Sequence, residues 1–216
     1  MSNLHLLDMK DWGSEPIRKG FGRGLVKAGE QNDQIVALCA DLTDSTQIGP
    51  FAEKFPERFV EVGIAEQNLV TVASGMAAQG KIPFTSSYAA FSPGRNWEQI
   101  RTTICLNNRP VKIVGSHAGL YTGPDGATHQ ILEDVALMRV LPNMVVLVPG
   151  DSVEAEKATL ALASDMRPGY LRLARDNSAI MTTVDTPFEI GRAYVFSPGQ
   201  DLTIIANGTM TSVALE

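Results

Sequence analysis

Three histidines are all that a chain of 216 residues contains, and two of them, His117 and His129, share one loop, "SHAGLYTGPDGATHQ". Imidazole is the side chain best suited to exchange a proton or grip a hydroxyl near neutral pH. The stretch between the two rings holds three glycines, a proline and Asp125. A long loop of this composition is either a working loop or a mobile piece of surface. A second chemical feature is Glu66, at the head of "VGIAEQNLVTVASGMAAQG" (62–80). Burial among Val62, Gly63, Ile64, Ala65, Leu69, Val70 and Val72 would raise its affinity for a proton, whereas a helix start would lower it. The spacing of His117, Asp125 and His129 matches no recognised ligand pattern, so no metal site is expected on this chain. Ser116 with His129 is the one candidate hydrolase pair, but the sequence lacks the GxSxG elbow.

Short apolar runs alternate with helical patterns, and these elements must position the polar residues. Strands are expected at 35–40, 59–62, 82–87, 111–116, 144–148 and 170–174. Helices are expected at 17–30, with Pro16 suited to its first position, at 66–79 stopped by Gly80, around 97–105 and at 152–164. This alternation predicts an α/β fold: a mostly parallel sheet with helices on both faces. Such sheets bind ligands beyond the carboxyl ends of their strands. Asp41, Glu66, Tyr88, His117 and Arg175 each follow a predicted strand, so two acids, an aromatic ring, a histidine and an arginine should meet at one rim.

Composition narrows the partners. A net charge of −6 argues against nucleic acid and anionic membranes, both of which need a basic footprint. The basic group Arg18, Lys19, Arg23 and Lys27 reads as one solvated helix face. Cys39 and Cys105 lie in apolar runs and read as small core residues. No signal pattern opens the chain, and no apolar run nears the ~18 residues of a membrane span, so a cytoplasmic protein is expected.

Three stretches divide the chain. Residues 1–15 have weak periodicity and suggest a leading arm, and 16–184 form the main domain. Residues 185–216, with an apolar run at 202–206 after the Pro198–Gly199 turn, suggest the opening of a further α/β domain that is cut short.

Four ordered motifs carry a family resemblance: "DLTDST" (41–46), "ERFVEVGIAEQN" (57–68), "GPDGATHQILEDVALMRVLPNM" (123–144) and "VPGDSVEA" (148–155). From about Arg18 to Asn177 the chain resembles the pyrimidine-binding domain of transketolases, which depend on thiamine diphosphate. The resemblance implies that Glu66 hydrogen-bonds the aminopyrimidine ring, that Tyr88 and Phe91 line its pocket, and that Asp41 lies near the thiazolium. It also implies that His117, Asp125 and His129 line the sugar channel, and that Arg18, Ser45 and Arg175 hold the sugar phosphate. Deoxyxylulose-phosphate synthases share "GIAEQ" but usually have histidine at Asn68 and arginine at His117. The beta subunits of 2-oxo-acid dehydrogenases lack the "DGATHQ" loop.

The same resemblance marks a missing half. Thiamine enzymes hold the diphosphate through Mg²⁺ with a GDG motif and a later Asn, and the nearest match here is "PDG" at 124–126, inside the histidine loop. The expected partner is therefore a diphosphate-binding N-terminal transketolase subunit or domain that holds Mg²⁺, in a homodimer or heterotetramer acting on sugar phosphates in carbohydrate metabolism and the pentose phosphate pathway. Alone, the chain is expected to be inactive and to bind thiamine diphosphate weakly. The alternatives are a catalytically silent interaction or regulatory module of the same fold, or a deoxyxylulose-phosphate synthase-like enzyme.

Overall fold

The computed structural model describes residues 4–216, so residues 1–3 of the expected leading arm lie outside the described residues. Six strands form one fully parallel sheet: β2 (Ile35–Cys39), β3 (Phe59–Glu61), β4 (Ile82–Tyr88), β5 (Lys112–Ser116), β6 (Val145–Leu147) and β7 (Gly169–Arg172). Their order across the sheet is β3-β2-β4-β5-β7-β6. All six strands expected from the apolar runs are present, with ends shifted by a residue or two.

The pleat of β2 shows why these runs lack alternation. Ile35, Ala37 and Cys39 enter one core cluster, with α1 (Ile17–Gln31), α2 (Gly49–Lys54) and α6 (Ser152–Ser164). Val36, Leu38 and Ala40 enter the other, with α3 (Glu66–Ala78) and α4 (Trp97–Gln99, continued by a π-helical turn Ile100–Cys105). A strand covered on both faces has no polar side to display. Cys39 and Cys105 fall in opposite clusters, both free and buried. Burial raises both thiols, Cys105 to about 11, so both stay protonated and inert.

Glycine brings α1 against α6. A Cβ on Gly20 would collide with the Ser152 backbone, and one on Gly24 would lie 2.9 Å from the Glu156 carbonyl oxygen. Asp151 caps α6 by accepting from the Glu154 amide at 2.8 Å. The same carboxylate accepts from the amides of Met181 at 2.9 Å and Thr182 at 2.7 Å, which straps the following segment to the helix.

Several elements carried no sequence signal. β1 (Gly13–Pro16) pairs antiparallel with β8 (Asn177–Ile180), so Pro16 closes a strand and Ile17 opens α1. α2 and α5 (Asp134–Arg139) are single short helices of six residues each. The run 202–206 forms no strand: Leu202, Ile204 and Ile205 are exposed, because no neighbouring strand is there to complete a ladder. Within 185–216 the one regular element is α7 (Met210–Leu215). Among the described residues no helix is long and apolar enough to cross a membrane.

Candidate functional site

The chain leaves β2 toward β3 on one side and leaves β4 toward β5 on the other, so the strand order switches between β2 and β4 and a crevice opens at their carboxyl ends. Glu61, at the end of β3, organises one side of it. Its Oε1 accepts from the amides of Asp41 and Gly63, each at 2.8 Å, joining the turn after β2 to the turn after β3. Gly63 takes φ 73°, which suits glycine, and three residues later the chain begins α3.

Glu66 is the first residue of that helix and is buried. Arg95 approaches its Oε2 to 3.4 Å and lies over the Phe91 ring, 4.1 Å from the centroid. The buried Asn96 donates to the Glu66 backbone carbonyl at 2.7 Å. The Glu66 backbone is therefore pinned, its carboxyl is met at Oε2 alone, and Oε1 stays without a partner among the described residues. Ile64 does not belong to its apolar surround as expected: it is 75% exposed, because its turn carries it outward.

Beyond Phe91 the aromatic and histidine rings form one cluster. Tyr88 is stacked on His117 and on Phe91, and His129 meets both Tyr88 and Phe91 edge-on, at 6.1 Å and 5.2 Å. Ser116 Oγ lies 2.9 Å from His117 Nδ1, and Thr128 Oγ1 lies 2.8 Å from His129 Nδ1. Ser116 thus serves His117, and the Ser116–His129 hydrolase pair is not formed. Burial, then the charges of Arg18 and Arg175, push the His117 pKa down to about 4, so its ring is neutral at pH 7. Asp125, exposed at the tip of the loop, pulls weakly the other way. The Thr122 hydroxyl donates to the His117 carbonyl at 2.7 Å and a bridge joins Gly119 to Ile131, so the histidine loop is tied at both ends. Below it, the buried Asp134 accepts from the Tyr170 hydroxyl and from Arg172 Nε, each at 2.8 Å.

A cleft of about 440 Å³ opens between Pro16, Arg18, Arg175, Asp176 and Asn177. Arg18 Nη1 donates to the Arg175 carbonyl, and Arg175 Nη1 donates to the Thr122 carbonyl at 3.1 Å. Burial and the charge of Arg175 lower the Arg18 pKa from its usual value. Ser45 is not part of this lining; it sits half-buried on the turn after β2. Asp41 is exposed at the rim, with φ 58°.

The structure thus gathers Glu66, Tyr88, Phe91, His117 and His129 around one crevice, sets Arg18 and Arg175 in a cleft whose charges act on His117, and leaves Asp41, Asp125 and Ser45 without side-chain hydrogen bonds among the described residues. Arg95, Asn96 and Thr122 were missed in sequence. The one available signal was the four-residue spacing of Phe91 and Arg95, which a turn closed by the Arg95 amide on the Phe91 carbonyl, at 3.0 Å, brings together. Three features suit an aminopyrimidine: flat rings, a buried carboxyl with an unpaired oxygen, and a crevice at a sheet switch point.

Comparisons with known proteins identify the family and several relatives. Residues 15–180 match the family described as "Transketolase, pyrimidine binding domain". A "Putative transketolase C-terminal section" from Methanocaldococcus jannaschii is 43% identical over 201 residues, 92% of this chain and 64% of that protein. A 6-deoxy-6-sulfo-D-fructose transketolase subunit from Clostridium sp. (strain MSTE9) is 37% identical over 191 residues, 88% of this chain and 59% of that protein. A solved structure described as "Split gene transketolase, inactive beta4 tetramer" superposes with a TM-score of 0.86 at 46% identity, covering 94% of this chain and 66% of that one. The chain therefore spans about two thirds or less of each of these relatives.

Proposed function

We propose that this chain, which belongs to the transketolase pyrimidine-binding domain family, supplies the pyrimidine half of a thiamine diphosphate site for two-carbon ketol transfer from a ketose phosphate to an aldose phosphate. One observation carries the reading: a buried carboxyl at a helix start shares a crevice with stacked aromatic rings and two histidines. When bound, the coenzyme supplies a carbon nucleophile able to break a bond beside a ketone.

The residues then have separate tasks. Glu66 holds a proton between its carboxyl and a ring nitrogen of the aminopyrimidine, as a general acid–base at short range. Tyr88 and Phe91 give that ring flat apolar walls. His117, neutral and held at Nδ1 by Ser116, is left with Nε2 to meet a sugar hydroxyl. His129, held at Nδ1 by Thr128 and set edge-on to Tyr88 and Phe91, does the same. Asp125 adds an acceptor at the channel mouth, and Asp41 a negative charge at the rim. Arg18 and Arg175 hold the acid group of the sugar, without Ser45, which lies outside the cleft lining on the turn after β2.

The diphosphate and its Mg²⁺ fall to a partner chain or further domain, in a homodimer or heterotetramer. Two relatives support this division: one is described as a C-terminal section, and the solved neighbour as an inactive tetramer of one kind of chain. The test is reconstitution with a diphosphate-binding N-terminal transketolase section. Ketol transfer should appear in the mixture and be absent from the chain alone. Full turnover by the chain alone, or none in any mixture that binds the coenzyme, would refute the reading.

A further inference from the structure

The cleft beyond β7 contains a charge that sugar binding alone does not call for. Arg18 comes from the first turn of α1, Arg175 and Asp176 come from the link between β7 and β8, and Asn177 opens β8. Pairing of β1 with β8 sets Pro16 opposite Asn177 and so closes the cleft from both sides. The hydrogen-bond partners of both guanidiniums are neutral carbonyl oxygens, which hold the groups in place and leave their charge unspent. Asp176 is exposed on the same wall and makes no hydrogen bond or ion pair among the described residues. Its carboxylate nonetheless acts on Arg18 through space.

Two guanidiniums alone would match a phosphate ester, which carries about two negative charges above neutral pH. With Asp176 the cleft holds two positive charges and one negative, a balance of one. The attraction of a ligand grows in proportion to its charge, but the loss of its hydration grows with the square. A single net charge therefore offsets the dehydration of a monoanion and falls short for a dianion.

We propose that Asp176 is a specificity-determining residue: by offsetting one of the two guanidinium charges, it makes the cleft favour a sugar whose acid terminus carries one negative charge over one carrying two. This rests on the reading that Arg18 and Arg175 receive the acid group of the substrate; phosphate esters remain ligands of the cleft, held no more tightly than singly charged esters.

Ribose 5-sulfate and ribose 5-phosphate are the probes, since at pH 8 they share a sugar and differ by one charge. Calorimetry on the full chain should show the sulfate ester binding at least as tightly as the phosphate ester. Asp176→Asn should tighten the phosphate ester about tenfold and the sulfate ester about threefold, because the lost repulsion scales with ligand charge. Asp176→Glu, which keeps the charge, should retain the wild-type ratio. A wild-type preference for phosphate, or a ratio that Asp176→Asn leaves unchanged, overturns the proposal. Arg175→Gln separates it from the reading beneath. If that variant loses both esters while the ratio ignores Asp176, only the charge selectivity fails. If both esters bind Arg175→Gln as they bind wild type, or neither binds wild type, the cleft is not the acid site and both fail.

Discussion

The imidazole of His117 lies nearly parallel to the Tyr88 ring, with 3.9 Å between centroids and 22° between planes. This stacking buries the histidine while Arg18 and Arg175 face it, so a proton on the ring is unwelcome for two reasons, desolvation being the larger. The folded pKa, about 4, lies below the ordinary 6.5. Between those values the unfolded chain binds more protons than the folded one, so stability falls as pH drops through that window. The expected slope is at most about 1.4 kcal/mol per pH unit. Urea midpoints at pH 7 and pH 5 should show it, and His117→Gln should flatten it. An imidazole resonance of His117 that titrates near 6.5 would contradict the burial argument.

Glu66→Gln keeps the shape and removes the acid. The hydrogen bond from Asn96 goes to the backbone of residue 66, so the start of α3 should survive. In the complex reconstituted with saturating thiamine diphosphate, turnover should fall by about 10²–10⁴. Undiminished turnover would remove Glu66 from the chemistry.

Two glycines make opposite predictions. Gly20→Ala drives a methyl into the Ser152 backbone and must part α1 from α6, a loss of roughly 2 kcal/mol or more. Gly75→Ala, in the middle of α3 with open space around it, should add about 0.5–1 kcal/mol through helix propensity. Thermal melts of the two variants against the parent decide both.

Asp151 holds four donors: the amides of Glu154, Met181 and Thr182 and the Thr182 hydroxyl. Asp151→Ala removes a helix cap and strands buried amides, for roughly 3 kcal/mol. Asp151→Asn, which keeps one acceptor oxygen, should lose about half as much. Equal urea midpoints for the two variants would mean that the strap carries no weight.

The sheet was legible because each of its strands is a run of apolar residues between polar turns, and burial on both faces demands that composition. Ile35–Cys39 is such a run, every residue buried. β1 was not legible: "GSEP" carries no pattern, and its partner lies 163 residues away in the register Glu15↔Ser178. The run Leu202–Ala206 has the apolar composition of a strand but forms none, since strand propensity becomes a strand only when a neighbour completes its hydrogen bonds. At the site, Glu66 and the two histidines stood out because charged or titratable groups beside glycines and apolar runs are conspicuous. Arg95 did not, because an arginine on a surface turn is ordinary until its ring partner and carboxylate are placed in space. Asp176 was silent for the same reason: its meaning is the company of Arg18, which arrives from the far end of the domain.

Asp41 and His117 leave β2 and β5 with φ of 58° and 57°, a conformation that glycine would adopt with less strain. At the exposed Asp41 that strain carries a trade-off. Asp41→Gly should harden the fold slightly while deleting a charge from the rim, so heat tolerance and site chemistry pull this position in opposite directions. A laboratory selection for thermostability, run without an activity screen, would drift toward an unadorned turn here and silently erode the crevice.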